Sequence, residues 1–267
     1  MEYNYTSSDT SCSRQLLHNI PIWHFIEGLK NNVLLFLGDS VINQEECNLR
    51  CLLSDYFINK TTDTITDTLK VDEYHYYFNI TILFLQVGGW NYENNKKCVL
   101  NETYSVIVKS SLIYFNIGNH FTNSTHLNCS LTHYGELFQK ANKTKEVIFR
   151  LQTPPHFHTQ DGHLSTKAIE NNGKLEPSTG CYNGQNHLIN FRYLLGLEFV
   201  AKNNYSVLDV TKVSNNACLH PRYHDKKPVH DCLHYPQDGT ILTDINVLML
   251  YMIGAKSGRK YTSKSVK

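Results

Sequence analysis

The sequence predicts an α/β fold of three layers, α/β/α, built on an open and mostly parallel sheet of about five strands. Three observations predict it. The segment Asn32-Val-Leu-Leu-Phe-Leu37 is an apolar run without alternation, as expected of a strand buried on both faces. The same theme recurs at Ile82–Val87, Leu112–Phe115, Val147–Leu151 and Tyr205–Leu208. The connections between these runs are long enough to hold crossover helices, and parallel strands require such crossovers.

Taken in order, residues 1–20 form a polar N-terminal segment, and residues 21–255 form one domain with no internal repeat and no break in composition. The first strand ends in Gly38-Asp39-Ser40. After it the spacing becomes helical, with Val41, Glu45, Leu49, Leu52, Leu53 and Tyr56 three to four apart. Residues 58–78 and 158–187 are rich in Thr, Asn, Gly and His without clear periodicity. They read as loops above the carboxyl ends of the strands, where doubly wound domains bind substrates. The apolar segment Ile241–Ile253 reads as a last helix, and residues 256–267 as a frayed basic tail.

Composition excludes some classes of function. The formal charge of +1 and pI near 7.6 leave no electrostatic footprint for nucleic acid or anionic membrane. No apolar stretch approaches membrane-spanning length. The eight cysteines, at 12, 47, 51, 98, 129, 181, 218 and 232, contain no CxxC pair. They read as disulfides of an oxidising compartment rather than a zinc site. Asn-x-Ser/Thr sequons start at Asn4, Asn59, Asn79, Asn101, Asn123, Asn128, Asn142 and Asn204. The 27 Asn and 39 Ser plus Thr lead by chance to roughly four sequons, half the number present. Both features predict the secretory lumen or the cell exterior. The N-terminus has neither a basic nor an apolar signal region, so the expectation is of an upstream signal or anchor absent from this chain.

Two constellations carry chemistry. A serine directly after a buried strand, at the start of a helix, meets backbone amides and the positive end of the helix dipole. Ser40 is thus a candidate nucleophile; its alternative role is an ordinary helix N-cap. Late in the chain, Pro228-Val-His-Asp-Cys-Leu-His-Tyr-Pro-Gln-Asp-Gly239 sets Asp231 and His234 three residues apart. An acid that holds one imidazole nitrogen leaves the other to take the serine proton. His230 and His234 have metal-ligand spacing, but Pro228 and the intervening Cys-Leu point to a loop rather than the helix a zinc hydrolase uses. No metal is expected.

Four segments in order resemble the PC-esterase branch of the SGNH (GDSL-like) hydrolases, which includes the plant trichome birefringence-like polysaccharide O-acetyltransferases. Phe36-Leu-Gly-Asp-Ser-Val-Ile-Asn-Gln44 with Cys51-Leu-Leu is similar to that family's FVGDS…Q…CLL. Phe115-Asn-Ile-Gly-Asn-His-Phe121 resembles its N-x-G-H block, and Phe149-Arg-Leu-Gln-Thr-Pro-Pro-His-Phe157 its FRTxSPxHF. Leu208-Asp-Val-Thr-Lys, His220-Pro221, Asp231-Cys-Leu-His234 and Asp244-x-Asn246 resemble LDVT…HP…DCxHW…DxWN.

The resemblance implies an SGNH/flavodoxin-like fold and a Ser40–His234–Asp231 triad acting without a cofactor. It implies an oxyanion hole from the Ser40 amide with Gly118 and Asn116, to which Gly88 or Gly89 adds a further candidate amide. Arg150 and His156 are candidate substrate contacts. The implied reaction is transfer of an acetyl group, from an acetyl thioester or acetylated glycan, to a glycan or polysaccharide acceptor. The alternatives are an acetyl esterase of the same fold and a glycan-binding module without turnover; metal-dependent deacetylation is a third. Two departures stand out: the family's HWC-LPG is His234-Tyr-Pro-Gln-Asp-Gly239 here, without the cysteine, and the tryptophan of DxWN is Ile245.

Overall fold

The computed structural model describes residues 22–66, 69–87, 103–121, 123–141, 146–152, 190–209, 211, 223–224, 227–228 and 248. Helix α1 (Ile22–Leu29) leads into strand β1 (Val33–Gly38). Helix α2 (Ser40–Leu52) follows directly, then strands β2 (Phe57–Thr66), β3 (Leu69–Tyr76) and β4 (Ile80–Gln86). Helix α3 (Tyr104–Lys109) precedes β5 (Leu112–Asn116), and α4 (Ser124–Ala141) precedes β6 (Glu146–Arg150). Helix α5 (Phe191–Asn203) then packs back before β7 (Ser206–Leu208). A two-residue ribbon, β8 (Tyr223–His224) with β9 (Lys227–Pro228), stands apart from the sheet.

Seven strands form one sheet in the order β2-β3-β4-β1-β5-β6-β7. The run from β4 to β7 is parallel throughout, while β2 and β3 pair antiparallel along one edge. The five apolar runs in the sequence are the five parallel strands, β1, β4, β5, β6 and β7. In chain order these strands lie 2-1-3-4-5, a doubly wound arrangement whose switch point falls between β1 and β5.

Residues 57–66 and 69–76 correct the expectation of a substrate loop, because they extend the sheet as a hairpin. The hairpin carries Thr and Asp where a core strand carries Val or Leu, so its polarity reads as loop. Its stability comes from cross-strand pairs instead. Thr62 lies opposite Asp72 and donates to it at 2.7 Å, and Lys60 reaches the same carboxylate at 2.9 Å.

Alternating residues of each parallel strand feed opposite cores. Leu35, Leu37, Leu83, Leu85, Ile113, Phe115, Val147 and Phe149 face α3, α4 and α5. Leu34, Phe36, Ile82, Phe84, Tyr114 and Ile148 face α1 and α2. Burial on both faces is the physical reason for apolar runs without alternation. Phe115 centres the first core, with the rings of Tyr134, Phe138, Phe149 and Phe199 at 4.9–5.9 Å. From the expected last helix, Leu248 is described: it is helical and fully buried in the second core. No helix among the described residues is long and apolar enough to cross a membrane. Cys51 and Cys129 are disulfide-bonded, and Cys47 is a free thiol.

A charged cluster ties α2 to β3. Glu46, fully buried, pairs with Arg50 one turn on at 2.5 Å, and the Arg50 guanidinium lies 4.3 Å over the Tyr74 ring. Burial outweighs the attraction of Arg50 and pushes the Glu46 carboxyl up to about 7. The unfolded chain releases this proton near its ordinary value of about 4.3. The group therefore favours the folded state least above pH 7, and stability falls as pH rises from the unfolded value to about 7. Glu46→Gln is expected to flatten the fall in stability between about pH 4.5 and 7 by up to about 3 kcal/mol. Urea midpoints across that range measure it, and an unchanged pH slope in the variant contradicts it.

Candidate active site

The carboxyl ends of β1 and β5 lie side by side at the switch point, with Gly38 paired to Asn116. Helix α2 starts immediately beyond β1, so Ser40 occupies its first residue above the edge of the sheet. The cap of this helix is Asp39, not Ser40. Asp39 Oδ1 accepts from the Val41 amide at 3.0 Å, and the Asn43 amide donates to the Asp39 carbonyl at 3.1 Å. The ordinary capping explanation for Ser40 therefore falls away. The second carboxylate oxygen of Asp39 accepts from the Asn119 amide at 3.3 Å, which ties the turn after β1 to the turn after β5.

Two glycines make this close approach possible. A Cβ on Gly38 would fall well inside contact distance of the Asn116 carbonyl oxygen and of Ile42 Cγ1. Backbone stands on one side and a core side chain on the other, so neither yields cheaply. Gly118 has φ +154°, and a Cβ there would lie 2.8 Å from Gln152 Oε1. Gly38→Ala is expected to cost about 1–3 kcal/mol of stability by forcing β1 and β5 apart. Thermal denaturation tests this, and a variant with the parent's melting temperature refutes it.

The β5 turn is held from the far side. Asn190 caps α5 by accepting from the Arg192 amide at 2.9 Å. Buried Arg192 then donates through Nε to the carbonyls of Gly118, at 3.1 Å, and Phe121, at 2.8 Å. Loop 118–121 is thus fixed by Asp39 at its amide side and by Arg192 at its carbonyl side. Fixed backbone dipoles beside a nucleophile stabilise developing negative charge without reorganising.

No protein-family model and no curated protein matches this chain. Solved structures similar to it include the following two. One is the periplasmic domain of a Salmonella ser. Paratyphi A lipopolysaccharide acetyltransferase, at 15% identity and a TM-score of 0.42, covering 90% of each chain. The other is a GDSL-like lipase from Parabacteroides merdae, at 12% identity and a TM-score of 0.41, covering 86% of this chain and 97% of that one. The fold assignment stands on the strand order and register described above.

Of the residues singled out from sequence, Ser40, Asn116 and Gly118 come together at the β1/β5 edge. Asn116 is fully buried, and its side-chain amide donates to the Arg150 carbonyl at 2.7 Å. That bond braces β5 against β6. Arg150 is also fully buried, where it pairs through Nε with Glu45 of α2 and donates to the Leu151 carbonyl at 3.1 Å. The expected substrate contact at Arg150 finds no support in this geometry, which gives the guanidinium an internal partner. Asp231, His234, His156, Gly88 and Gly89 lie outside the described residues. Among the described residues no group of three or more metal-ligating side chains occurs.

Two residues near the serine escaped sequence reasoning. Asn119 and Gln152 are 7% and 4% exposed, and neither side-chain amide has a hydrogen-bond partner among the described residues. Buried amides without partners are costly to keep. Asn119 joins Asp39 through its backbone, and Gln152 abuts Gly118. Their positions within the second and third resembling blocks, Phe115–Phe121 and Phe149–Phe157, were the available signal.

Proposed function

We propose that the chain is a serine-dependent acyl-transfer enzyme of the SGNH type, acting as a glycan O-acetyltransferase in a secretory compartment. The observation that carries the reading is Ser40 at the start of α2, with its helix capped by Asp39 and the Gly118 turn bonded to that cap. The order of the four resembling sequence segments supports the same chemistry.

In this reading His234, oriented by Asp231, takes the Ser40 hydroxyl proton as Oγ attacks the acyl carbonyl. The Ser40 and Gly118 amides stabilise the oxyanion, with the Asn119 side-chain amide as a further donor. Collapse of the tetrahedral intermediate breaks the bond to the donor's leaving group, which takes the proton from His234. An acyl-Ser40 ester remains. A sugar hydroxyl then attacks that ester with His234 as base, and the serine is regenerated. If water attacks instead, the same intermediate makes the protein an esterase.

The test pairs acetylated and unacetylated glycans with the purified protein and seeks an acetyl adduct on Ser40 by mass spectrometry. The expected result is an adduct at Ser40 that disappears when an acceptor glycan is added. Turnover without acylation of Ser40 refutes the mechanism, and acetate release without an acetylated product assigns the esterase outcome.

A further inference from the structure

The end of the sheet opposite Ser40 carries exposed aromatic side chains that the acyl-transfer reading does not use. Trp23, Phe57, Tyr77 and Phe78 are 39–58% exposed. The Trp23 and Phe78 rings meet edge to face at 5.4 Å, with Tyr56 at 6.5 Å from Phe78. Phe78 holds φ +65°, a conformation that a bulky residue adopts only at a cost. The Asn31 amide, itself in a left-handed residue, donates to the Phe78 carbonyl and helps to hold the turn. The next residue is Asn79, exposed, left-handed and the head of the sequon Asn79-Ile80-Thr81. An exposed apolar patch of this kind calls for an occupant, and here an acceptor asparagine lies inside it.

We propose that Asn79 carries an N-linked glycan whose first N-acetylglucosamine lies against the Trp23–Phe78 rings. The inference rests on a secretory location and is independent of whether Ser40 is catalytic. In the attachment step a lipid-diphosphate-linked oligosaccharide is the donor, and a luminal oligosaccharyltransferase is the catalyst. The bond from Asn79 Nδ2 to the anomeric carbon forms, and the bond from that carbon to phosphate oxygen breaks. The lipid diphosphate leaves, and one amide proton passes to the medium, with no change of oxidation state. The N–H left on Nδ2 is the donor available for the bond to Asn31 Oδ1, now 3.3 Å. The C–H face of the sugar and its acetamido methyl are apolar, and they match the exposed ring faces.

The experiment uses the full chain secreted from eukaryotic cells behind an added leader. Enzymatic glycan release in heavy-oxygen water, followed by peptide mapping, reads occupancy as a tagged deamidation at Asn79. Occupancy of Asn79 is expected, and recovery of unmodified Asn79 from folded secreted protein overturns the proposal. A thermal double-mutant cycle of Asn79→Gln with Trp23→Ala then tests the packing. Asn79→Gln is expected to lower the melting temperature by about 2–4 °C in the parent and by little in the Trp23→Ala background. The same cycle on protein made under a block of N-glycosylation is expected to show no coupling. Equal shifts in both backgrounds of the glycosylated protein overturn the stacking.

Discussion

Ser40→Ala is expected to abolish acyl turnover, with kcat falling about ten-thousand-fold or more, while the fold survives. The size follows from the unit behaviour of nucleophile and base: removing the attacking oxygen leaves the oxyanion donors and binding groups with no covalent route to assist. Survival of the fold follows from the local structure. Asp39, not Ser40, accepts from the Val41 amide and bridges to the Asn119 amide, so the substitution costs the helix no cap. Alanine is also the strongest helix former at the position it would occupy. The measurement combines labelling by a serine-directed fluorophosphonate, acetyl-ester hydrolysis and thermal denaturation. Loss of labelling and turnover at an unchanged melting temperature is the expected pattern. Full labelling of the variant assigns the reactive serine elsewhere. A folded parent that never labels favours a glycan-binding module over an enzyme.

Asp39 separates this prediction from its neighbours. Asp39→Asn keeps an oxygen for Val41 but turns an N–H toward the Asn119 amide, so donor faces donor. That variant is expected to lose activity through displacement of the 118–121 loop, with Ser40 and its hydroxyl still present. Fluorophosphonate labelling that is slowed rather than abolished is the result that distinguishes displaced oxyanion donors from a missing nucleophile.

The parallel sheet and the helix start at Ser40 were legible in the sequence because both rest on local patterns. Strands buried on two faces must be apolar at every position, and β1, β4 and β5 show it in continuous runs. Gly-Asp-Ser at the end of the first run marks a turn, a cap and a helix start together. The β2–β3 hairpin was illegible for the converse reason. Residues 57–64 are largely exposed, so Thr, Asp and Lys satisfy the strand and leave no apolar period to detect. The roles of Asp39, Arg192 and Asn116 were hidden too, because each acts through a bond to backbone 34–80 residues distant. Glu45 misled by position: it stands on the apolar stripe of α2 and is fully buried, yet it is a charge. Its partner, Arg150, resembled a family substrate contact, and only the tertiary arrangement puts the two together.

That pair carries the largest expected effect on stability. Glu45 and Arg150 are both fully buried and ion-paired, one on the helix that begins with Ser40 and the other at the carboxyl end of β6. Withdrawing two charges from water is expensive, and their mutual attraction with added hydrogen bonds offsets that cost. The Arg150 side chain also donates to the Leu151 carbonyl, and its own carbonyl accepts from Asn116. Removing one partner leaves the other charge buried and uncompensated, at a cost of about 3–5 kcal/mol. Glu45→Ala and Arg150→Ala are each expected to lower the melting temperature by about 10 °C or more. The apolar double replacement Glu45→Leu/Arg150→Met removes both charges and is expected to recover most of that loss. Acyl turnover distinguishes a structural tie from a substrate contact. If the pair only locks α2 onto β6, the double variant regains activity in proportion to its folded fraction. If Arg150 grips substrate, stability returns while KM remains raised, and the internal-partner reading of this arginine fails.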